Sequence, residues 1–394
     1  MLKNKNILIG VTGSIAIYKT LELIRLYIKA NANVRVIMSE EAKRFITPLT
    51  FEALSQNEVL HAQTESWSND NNHIHIGKWA ELFVIAPISA NTINKLSAGI
   101  ADNLLTQTIL AFSKKIIIAP SANTNMILNP ITRESLNKLQ NLGFIISEPQ
   151  SKLLACNDMG IGAMSDPQDV FDLSAKELLS DDFWADKKVI ISGGGSIEKI
   201  DDVRCLTNFS SGKMANALAY AFYLKGANVT LVTSKPDSIH LRGMTLLHVN
   251  SSKEFKSSIE DSLETGAYLF MCAAISDFVP SQSSSGKFKK DTLGEIWNLE
   301  LKKNEDILLN INKLGIKTIG FKAEMDKENA LESAKNMLSK KSLDAVCLNI
   351  LDNKNNFGSD DNEILFITKN SNEKFELSSK FGIALKIVEH SKNI

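Results

Sequence analysis

An apolar strand, a glycine turn, an amphipathic helix and a second strand follow one another twice in this chain. The first copy runs from NILIGV at residue 6 through TGS and IAIYKTLELIRLYIKA to VRVIM. The second runs from KKVIIS at residue 187 through GGGS and SSGKMANALAYAFYLKG to NVTLVTS. Each copy has the pattern of a β-α-β unit. The sequence therefore predicts two α/β domains, residues 1–186 and 187–394. A polar connection, SDDFWADKK, lies at the boundary between them.

Two further apolar runs, ELFVIAP and KKIIIAP, are uninterrupted instead of alternating. Runs of this kind are typical of central parallel strands that are covered on both faces. In open parallel sheets, ligands bind outside the carboxyl ends of the strands. We therefore expect a binding site at the segments that follow these runs, ISANT and SANTNM.

Composition excludes several classes of protein. The 44 basic residues nearly balance the 45 acidic ones, which argues against nucleic acid as the main partner. The four cysteines show no C-x-x-C spacing, so neither a zinc site nor a disulfide framework is predicted, and a reducing cytoplasm is the expected location. No run approaches the ~18 apolar residues of a membrane helix, so no membrane partner is predicted.

The loop GVTGS lies between the first strand and the first helix, where backbone N–H groups and the helix dipole favour a phosphate. It departs from the dinucleotide-binding pattern, because Ile15 replaces the third glycine and the second strand ends in Met38 and Ser39 without an acidic residue. A mononucleotide such as FMN is favoured over NAD. The alternative is that Gly10 and Gly13 only form a tight turn.

Two segments carry side chains that could do chemistry. Cys156 lies in SKLLACNDMGIGAM, where turn-forming residues predict a bent, accessible loop. His73 and His75 lie in NNHIHIGKWA. If this segment is a strand, both side chains point to the same face. If it is a loop, either histidine could reach a ligand. Taken alone, such histidines are more often polar surface residues.

Six motifs in register carry a resemblance to a known family. HIHIGKWAELFVIAP, APSANTNM and LLACNDMGIGAM resemble the flavin-dependent decarboxylases of cysteine-derived carboxylates. LTNFSSGKMANALA, CAAISDF and KFKK resemble the phosphopantothenate–cysteine ligase domain. The whole chain is thus similar to the bifunctional phosphopantothenoylcysteine decarboxylase/phosphopantothenate–cysteine ligases of coenzyme A synthesis. The resemblance implies an N-terminal flavodoxin-like FMN domain and a C-terminal Rossmann-like α/β ligase domain.

For the first domain, the resemblance implies that His73 is catalytic, that Asn123 holds the substrate carboxylate and that Cys156 donates a proton. When CO₂ leaves, the electron pair of the broken bond stays on carbon and needs an acceptor. Oxidation of the carbon that bears sulfur would create this acceptor, and FMN would carry out the oxidation. The implied FMN contacts are Gly13, Ser14, Ser39, Ser89 and Thr92.

For the second domain, the resemblance implies that CTP activates the phosphopantothenate carboxylate as an acyl-cytidylate, which the cysteine amine then attacks. Asn208 would hold this intermediate and Lys287 would neutralise charge at the reacting phosphate. The implied nucleotide contacts are Ala273, Asp277, Phe321 and Lys341. Mg²⁺ is expected with the triphosphate, held mainly by phosphates and water, so no metal ligand is assigned.

Four positions depart from the family pattern: Ala122, Ala163, Met337 and Ile350. Met337 leaves open a decarboxylase with an inactive ligase half, and a non-catalytic flavin-holding regulatory protein is a further alternative. The family also implies a homo-oligomer, in which the decarboxylase domains form trimers, the ligase domains form dimers and the whole forms a dodecamer.

Overall fold

The computed structural model describes residues 1–155, 157–288, 295–351 and 358–394. These residues form two compact units, Met1–Leu179 and Ser180–Ile394. Within the described ranges, no helix is both long enough and apolar enough to span a membrane.

The first unit is built on a five-stranded parallel sheet with the strand order β2-β1-β3-β4-β5. The predicted runs at 81–87 and 114–120 form its two central strands, β3 and β4, which are almost wholly buried. This is the flavodoxin-like order, with a crevice where the order reverses between β1 and β3. The predicted fold of the N-terminal half is confirmed. The strands are β1 Asn6–Val11, β2 Asn33–Met38, β3 Leu82–Ile88, β4 Lys115–Pro120 and β5 Ile145–Ile146.

Helices cover both faces of this sheet. In α1, the buried side chains Ile17, Leu23, Ile24 and Tyr27 recur at helical spacing, as the sequence predicts. The helices are α1 Ile17–Lys29, α2 Pro48–Ser55, α3 His73–Trp79, α4 Ala90–Ser97, α5 Leu104–Ala111, α6 Thr124–Leu128, α7 Pro130–Asn141 and α8 Pro167–Leu179, with a 3₁₀ helix at Glu40–Arg44.

The histidine segment is neither the strand nor the loop considered above, because α3 begins at His73. The side chain of Asn72 accepts hydrogen bonds from the N–H groups of Ile74 and His75 at 3.1 and 3.0 Å. Such a cap satisfies donors that have no partner within the helix and favours helix formation.

The segment predicted as a glycine loop also differs. Residues on both sides of Cys156 pair as an antiparallel hairpin of β6, Gln150–Leu153, and β7, Met159–Ala163. The glycines that indicated a loop instead allow β7 to approach the chain that follows β4, as described below. Cys156 itself lies outside the described residues.

The second unit contains an eight-stranded sheet with the order β12-β11-β8-β13-β16-β17-β18-β19. Its first six strands are parallel and, numbered along the chain, follow the order 3-2-1-4-5-6 of the Rossmann fold. The predicted α/β class of the C-terminal half is confirmed. The strands β18 and β19 extend the sheet with antiparallel pairing. The strands are β8 Lys188–Gly193, β11 Asn228–Thr233, β12 Thr245–His248, β13 Tyr268–Met271, β16 Lys317–Glu324, β17 Ala345–Ile350, β18 Asp361–Thr368 and β19 Asn372–Ser379.

Two small hairpins lie outside this sheet, formed by β9 Ile197–Lys199 with β10 Cys205–Thr207 and by β14 Phe278–Pro280 with β15 Leu301–Lys303. The helices of the unit are α9 Lys213–Leu224, α10 Ser252–Ser262, α11 Ile307–Asn310, α12 Ala330–Lys340 and α13 Lys380–His390, and a 3₁₀ helix follows at Ser391–Asn393.

The predicted polar connection SDDFWADKK is part of the second unit, because its Trp184 is fully buried. The indole packs edge-on against Phe222 and Tyr268, with ring centroids 4.8 and 4.9 Å away. Aromatic side chains bury a large apolar area, so this cluster packs the segment onto the unit although most of its residues are polar.

Candidate functional sites

The first unit has a cavity of about 630 Å³ where the chain leaves the carboxyl ends of β1, β3 and β4. Four of the predicted site residues line it: Gly13, Ser14, Ser89 and Asn123. The β6–β7 hairpin closes one side through Leu153 and Gly162, among others. The structure thus brings the predicted flavin loop and the predicted carboxylate ligand to one cavity.

Hydroxyl groups join the loops that form this cavity. The buried Thr12 hydroxyl donates to the Pro87 carbonyl at 2.9 Å and accepts from the Ser89 N–H at 2.9 Å. The Ser14 hydroxyl donates to the Ser121 hydroxyl at 3.0 Å. Thr12 was not predicted as a site residue, although it stands in the phosphate-type loop. It holds the loops after β1 and β3 together.

Close packing explains Gly13. A Cβ at this position would lie 2.8 Å from the Cβ of Glu41, in the 3₁₀ helix that follows β2. Ser39 caps this helix by accepting from the Ala42 N–H at 3.3 Å, and Ser89 accepts from the Thr92 N–H at 3.4 Å. Ser39 and Thr92 therefore support the loops beside the cavity, and their direct contact with FMN stays a prediction.

The lining of the cavity fits a flavin mononucleotide. The Gly13–Ser14 turn and the Ser89 hydroxyl provide small and polar groups at the start of helices, where a phosphate is favoured. Ile15, Phe45 and Leu153 provide an apolar wall suited to a ring system. The cavity therefore has polar groups suited to the phosphate of FMN and an apolar wall suited to its ring system.

Glycines bring the hairpin against the segment that contains Asn123. The Ala122 N–H donates to the Gly162 carbonyl at 3.1 Å. Gly162 has a φ of +148°, and a Cβ there would lie 2.1 Å from the Ala122 carbonyl oxygen. A Cβ at Gly160 would lie 2.3 Å from the Thr124 hydroxyl. Only glycine at both positions permits this approach.

An ion-pair network holds the base of the hairpin. The Asp166 carboxylate accepts from Lys152 on β6 at 2.9 Å, from Lys19 on α1 at 3.2 Å and from Gln150 at 3.2 Å. Lys19 also donates to the Met164 carbonyl at 2.7 Å. Burial opposes ionisation of Asp166, but these hydrogen bonds lower its pKa to about 2. The network joins the hairpin to the helix that follows the flavin loop.

An Asp166→Asn variant should loosen the hairpin, because an amide removes the charge that holds Lys19 and Lys152. We expect faster hydrogen exchange in 150–155 and 157–163 and an approximately 10-fold slower decarboxylation. Because the pKa of Asp166 is depressed, its contribution to stability is present above about pH 4 and is lost as the pH falls towards 2. Wild-type exchange in the hairpin would show that the network does not position it.

His73 does not line the cavity of its own chain. Its Nδ1 lies 2.7 Å from the Glu65 carboxylate, and its ring meets Trp67 edge-on at 5.5 Å. A neutral His73 that donates from Nδ1 to this carboxylate would leave Nε2 as the acceptor. No sequence pattern indicated Glu65, which lies eight residues earlier in a polar segment. His75 instead contacts the Asn72 amide at 2.8 Å.

The second unit has two adjacent cavities. The α9 cavity, about 430 Å³, is lined by residues before and in the first turn of α9, including the predicted Asn208. The α11 cavity, about 490 Å³, is lined by residues around α11, including the predicted Asp277 and Lys341. The predicted residues Ala273 and Phe321 line both cavities and form their common wall.

Hydrogen bonds fix the chain turns at this wall. The Asn208 amide donates to the Ala274 carbonyl at 3.2 Å, and the Ala274 N–H donates to the Gly194 carbonyl at 2.8 Å. A Cβ at Gly195 would lie 2.7 Å from the Asn208 carbonyl oxygen. The Ala273 N–H already donates to the Ser192 hydroxyl at 3.2 Å. Because this N–H is already paired, only the position of Ala273 in the common wall supports its predicted contact with the nucleotide.

In the α11 cavity, Lys341 forms an ion pair with Asp306 at 2.7 Å. Lys287 lines neither cavity and is exposed. Its neighbour Phe288 donates its N–H to the buried Asp201 at 3.2 Å. Burial works against ionisation of Asp201, but hydrogen bonds from the backbone N–H groups of Val203, Phe288 and Arg204 hold its pKa below the ordinary value. Asp201 thus anchors the segment that carries Lys287.

Two family models together match nearly the whole sequence. The model described as Flavoprotein matches residues 1–179, and the model described as DNA/pantothenate metabolism flavoprotein C-terminal domain matches residues 184–394. The coenzyme A biosynthesis bifunctional protein CoaBC of Haemophilus influenzae is 36% identical over 398 residues, which cover 98% of this chain and 97% of that protein.

The chain belongs to the CoaBC family. This membership confirms the resemblance inferred from the six motifs. The CoaBC protein of Bacillus subtilis is 34% identical, with 99% of this chain and 97% of that protein covered. A protein named cysteine/cysteine sulfinic acid decarboxylase, from an unknown prokaryotic organism, is 36% identical over 87% of this chain and 98% of its own length.

Three of the four departures from the family pattern line the cavities. Ala122 and Ala163 line the flavin-type cavity, and Met337 lines the α11 cavity. Ile350, at the end of β17, packs on the apolar core of the second unit. The part of the chain that the structure describes contains no cluster of three or more His, Cys, Asp or Glu side chains suited to a metal ion.

Proposed function

We propose that this protein is a bifunctional enzyme of coenzyme A synthesis. It joins cysteine to 4′-phosphopantothenate with CTP, and it then decarboxylates the product to 4′-phosphopantetheine with FMN. The observation that carries the proposal is that both halves of the CoaBC relatives are matched over nearly their full length. Supporting it, several residues predicted for the two sites line the cavity of the first unit and the two cavities of the second unit. We assign decarboxylation to the N-terminal domain, predicted at 1–186, and ligation to the C-terminal domain, predicted at 187–394.

In the decarboxylase half, Gly13, Ser14 and Ser89 would hold FMN. When bound, FMN supplies the redox chemistry that creates an acceptor for the electron pair left behind when CO₂ departs. Asn123 orients the substrate carboxylate with a neutral amide, which does not oppose loss of the charge as an arginine would. Cys156 supplies the proton that the carbon centre takes up in the last step. The strands that flank Cys156 in the sequence meet the Asn123 segment directly through Gly162 and Ala122, which supports this pairing of roles.

The place of His73 supports a site shared between copies of the chain. The histidine is held by Glu65 outside its own cavity, so a second copy has to supply the imidazole if it contacts substrate. We assign the decarboxylase half to a trimer with three such shared sites, the ligase half to a dimer, and the whole to a cytoplasmic dodecamer.

A mixture of His73→Asn and Asn123→Asp chains, co-expressed, is expected to regain decarboxylation. In a ring of three, an intact site needs His73 from one variant and Asn123 from the other, which restores about a quarter of the wild-type rate. Each variant assembled alone should be inactive. A mixture no more active than the sum of the two separate variants would place His73 in the site of its own chain.

In the ligase half, nucleotide activation is a chemical requirement, because a carboxylate does not react with an amine until one oxygen becomes a leaving group. Asn208 holds the activated carboxyl group at the wall between the cavities. Asp277, Phe321 and Lys341 contact CTP in the α11 cavity, with Mg²⁺ on its phosphates. Lys287 approaches the reacting phosphate from the segment that Asp201 anchors.

The decarboxylase assignment is tested by two measurements on the purified chain. Its absorption spectrum should show bound flavin, and it should release CO₂ from phosphopantothenoylcysteine but not from free cysteine. Free cysteine is the relevant control because a relative at 36% identity is named a cysteine decarboxylase. Release from cysteine alone would assign a different substrate, and a flavin-bound chain that releases no CO₂ would support a regulatory protein.

A further inference from the structure

The chain directly before α3 is fixed on both sides of Glu65. The Thr64 carbonyl accepts from the side-chain amide of Asn71 at 3.0 Å, and the Ser66 N–H donates to the Asn71 carbonyl at 2.9 Å. Backbone groups paired in this way hold the chain in one conformation. The backbone that carries Glu65 is therefore tied to the residues that lead into the helix.

The Glu65 carboxylate meets His73 through one oxygen. Its Oε1 lies 2.7 Å from Nδ1 of the ring and 3.5 Å from the backbone nitrogen of the same residue. The two side chains are partly buried, with 24% of the Glu65 side chain and 21% of the His73 side chain exposed. A hydrogen bond to a charged group is stronger where water is partly excluded. The carboxylate is thus a strong acceptor for this ring.

The indole of Trp67 restricts the same ring from a second direction. It meets the imidazole edge-on, with the ring centroids 5.5 Å apart and the planes at 89°. Aromatic pairs in this arrangement attract each other. Rotation of the His73 ring would lose this contact together with the hydrogen bond to Glu65. Carboxylate and indole therefore fix both the position and the plane of the ring.

His75 belongs to the same helix but has different surroundings. The carboxylate beside it, that of Asp70, is 85% exposed and lies 3.5 Å from Nδ1. The same Nδ1 lies 2.8 Å from the side-chain amide of Asn72. Of the two histidines, it is therefore His73 that has a partly buried acid partner at short distance.

The pairing with Glu65 leaves one nitrogen of the His73 ring for another partner. A carboxylate has only acceptor atoms, so the hydrogen of the short contact belongs to Nδ1. Among the residues that the structure describes, none forms a hydrogen bond with Nε2. In the neutral ring, Nε2 then carries a lone pair that can accept a hydrogen bond or a proton from a bound molecule.

We propose that Glu65 is a positioning residue of the decarboxylase, which holds His73 as the Nδ1–H tautomer and directs Nε2 to the substrate in the cavity of a neighbouring copy. This rests on the proposed function and adds the group that orients the histidine. Glu65, like His73, does not line the cavity of its own chain. A residue that acts through the orientation of another changes the rate of the reaction step more than the binding of substrate.

Magic-angle-spinning NMR of the full chain labelled with ¹⁵N-histidine tests the tautomer without turnover. The signals of His73, one of six histidines, are assigned by their loss in His73→Asn. At about pH 9, where an ordinary imidazole is neutral, we expect hydrogen on Nδ1 and none on Nε2. Glu65→Leu removes the acceptor and should populate the Nε2–H form. Hydrogen on Nε2 in the wild-type chain would overturn the proposal, and so would an unchanged tautomer in Glu65→Leu.

The same variant is expected to lower kcat for CO₂ release from phosphopantothenoylcysteine by about 10- to 100-fold and to leave KM unchanged, because the imidazole loses its orientation. Glu58→Leu is the matched control. Glu58 accepts from the Asn71 amide at 2.9 Å, in the same part of the chain but away from the ring. An equal loss of rate in both variants would show that Glu65 only stabilises the segment. Ligation by each variant reports that the chain has folded.

Co-expression tests whether Glu65 acts together with His73. A mixture of Glu65→Leu and Asn123→Asp chains should regain decarboxylation, because one variant supplies an intact histidine and the other an intact cavity. A mixture of Glu65→Leu and His73→Asn chains should stay at the level of Glu65→Leu alone, and a gain there would contradict the proposal.

Failure of the proposed function looks different. In that case the wild-type chain would release no CO₂ from phosphopantothenoylcysteine, whatever the variants do. A change of the His73 tautomer in Glu65→Leu would still establish that Glu65 sets the hydrogen position on the ring.

Discussion

Replacement of Gly162 by alanine is expected to slow decarboxylation by about 100-fold and to leave ligation unchanged. The added Cβ would lie 2.1 Å from the Ala122 carbonyl oxygen, a backbone atom that cannot rotate away. The hairpin must then move off the Asn123 segment, and displacements of about 1 Å in an active site cost on the order of 100-fold in rate. The measurement is CO₂ release from phosphopantothenoylcysteine, with ligation by the same chain as the folding control.

Gly143→Ala is the matched control for this prediction. Gly143 also has a positive φ, +92°, but no atom lies within 4 Å of an added Cβ. It therefore carries the conformational cost of alanine in the left-handed region, about 1–2 kcal/mol, without the clash. Equal decarboxylation rates in the two variants would show that the contact between Gly162 and Ala122 does not position the hairpin.

An Asn208→Asp variant should lose ligation by 100-fold or more and still decarboxylate supplied phosphopantothenoylcysteine. The Asn208 amide donates to the Ala274 carbonyl at 3.2 Å beside the common wall. A carboxylate there removes the donor and places a negative charge against an anionic intermediate. Loss of one such donor typically costs about 10²–10³ in rate.

Asn228→Asp makes the same chemical change at the exposed start of β11 and should not affect either half-reaction. The reported quantity is the CTP-dependent formation of phosphopantothenoylcysteine by liquid chromatography. A rate for Asn208→Asp within a few-fold of wild type would remove Asn208 from the reaction.

The sequence predicted the sheets because their signals are local. The uninterrupted apolar runs of β3 and β4 can be satisfied only by burial on both faces. Glycine turns after β1 and β8 mark the strand ends around which the cavities form. The predicted residues Gly13, Ser14, Ser89 and Asn123 consequently meet at one cavity, although they come from three different loops.

Other features depend on contacts that no local pattern reveals. One side-chain cap, at Asn72, starts a helix where alternation of His73 and His75 was compatible with a strand. The glycines at 160 and 162 serve a contact with residues far along the chain instead of a loop. Lys213 and Lys380 adjoin one cavity only because α9 packs on α13. Helix starts and tertiary approaches of this kind are set by the folded chain.

The most direct measurement of the central claim is mass spectrometry of the products that the full chain forms from 4′-phosphopantothenate, cysteine, Mg²⁺ and CTP. A parallel reaction omits the nucleotide. We predict 4′-phosphopantetheine in the first reaction and none in the second, because ligation must precede decarboxylation. Absence of both phosphopantothenoylcysteine and 4′-phosphopantetheine in the complete reaction would contradict the bifunctional assignment.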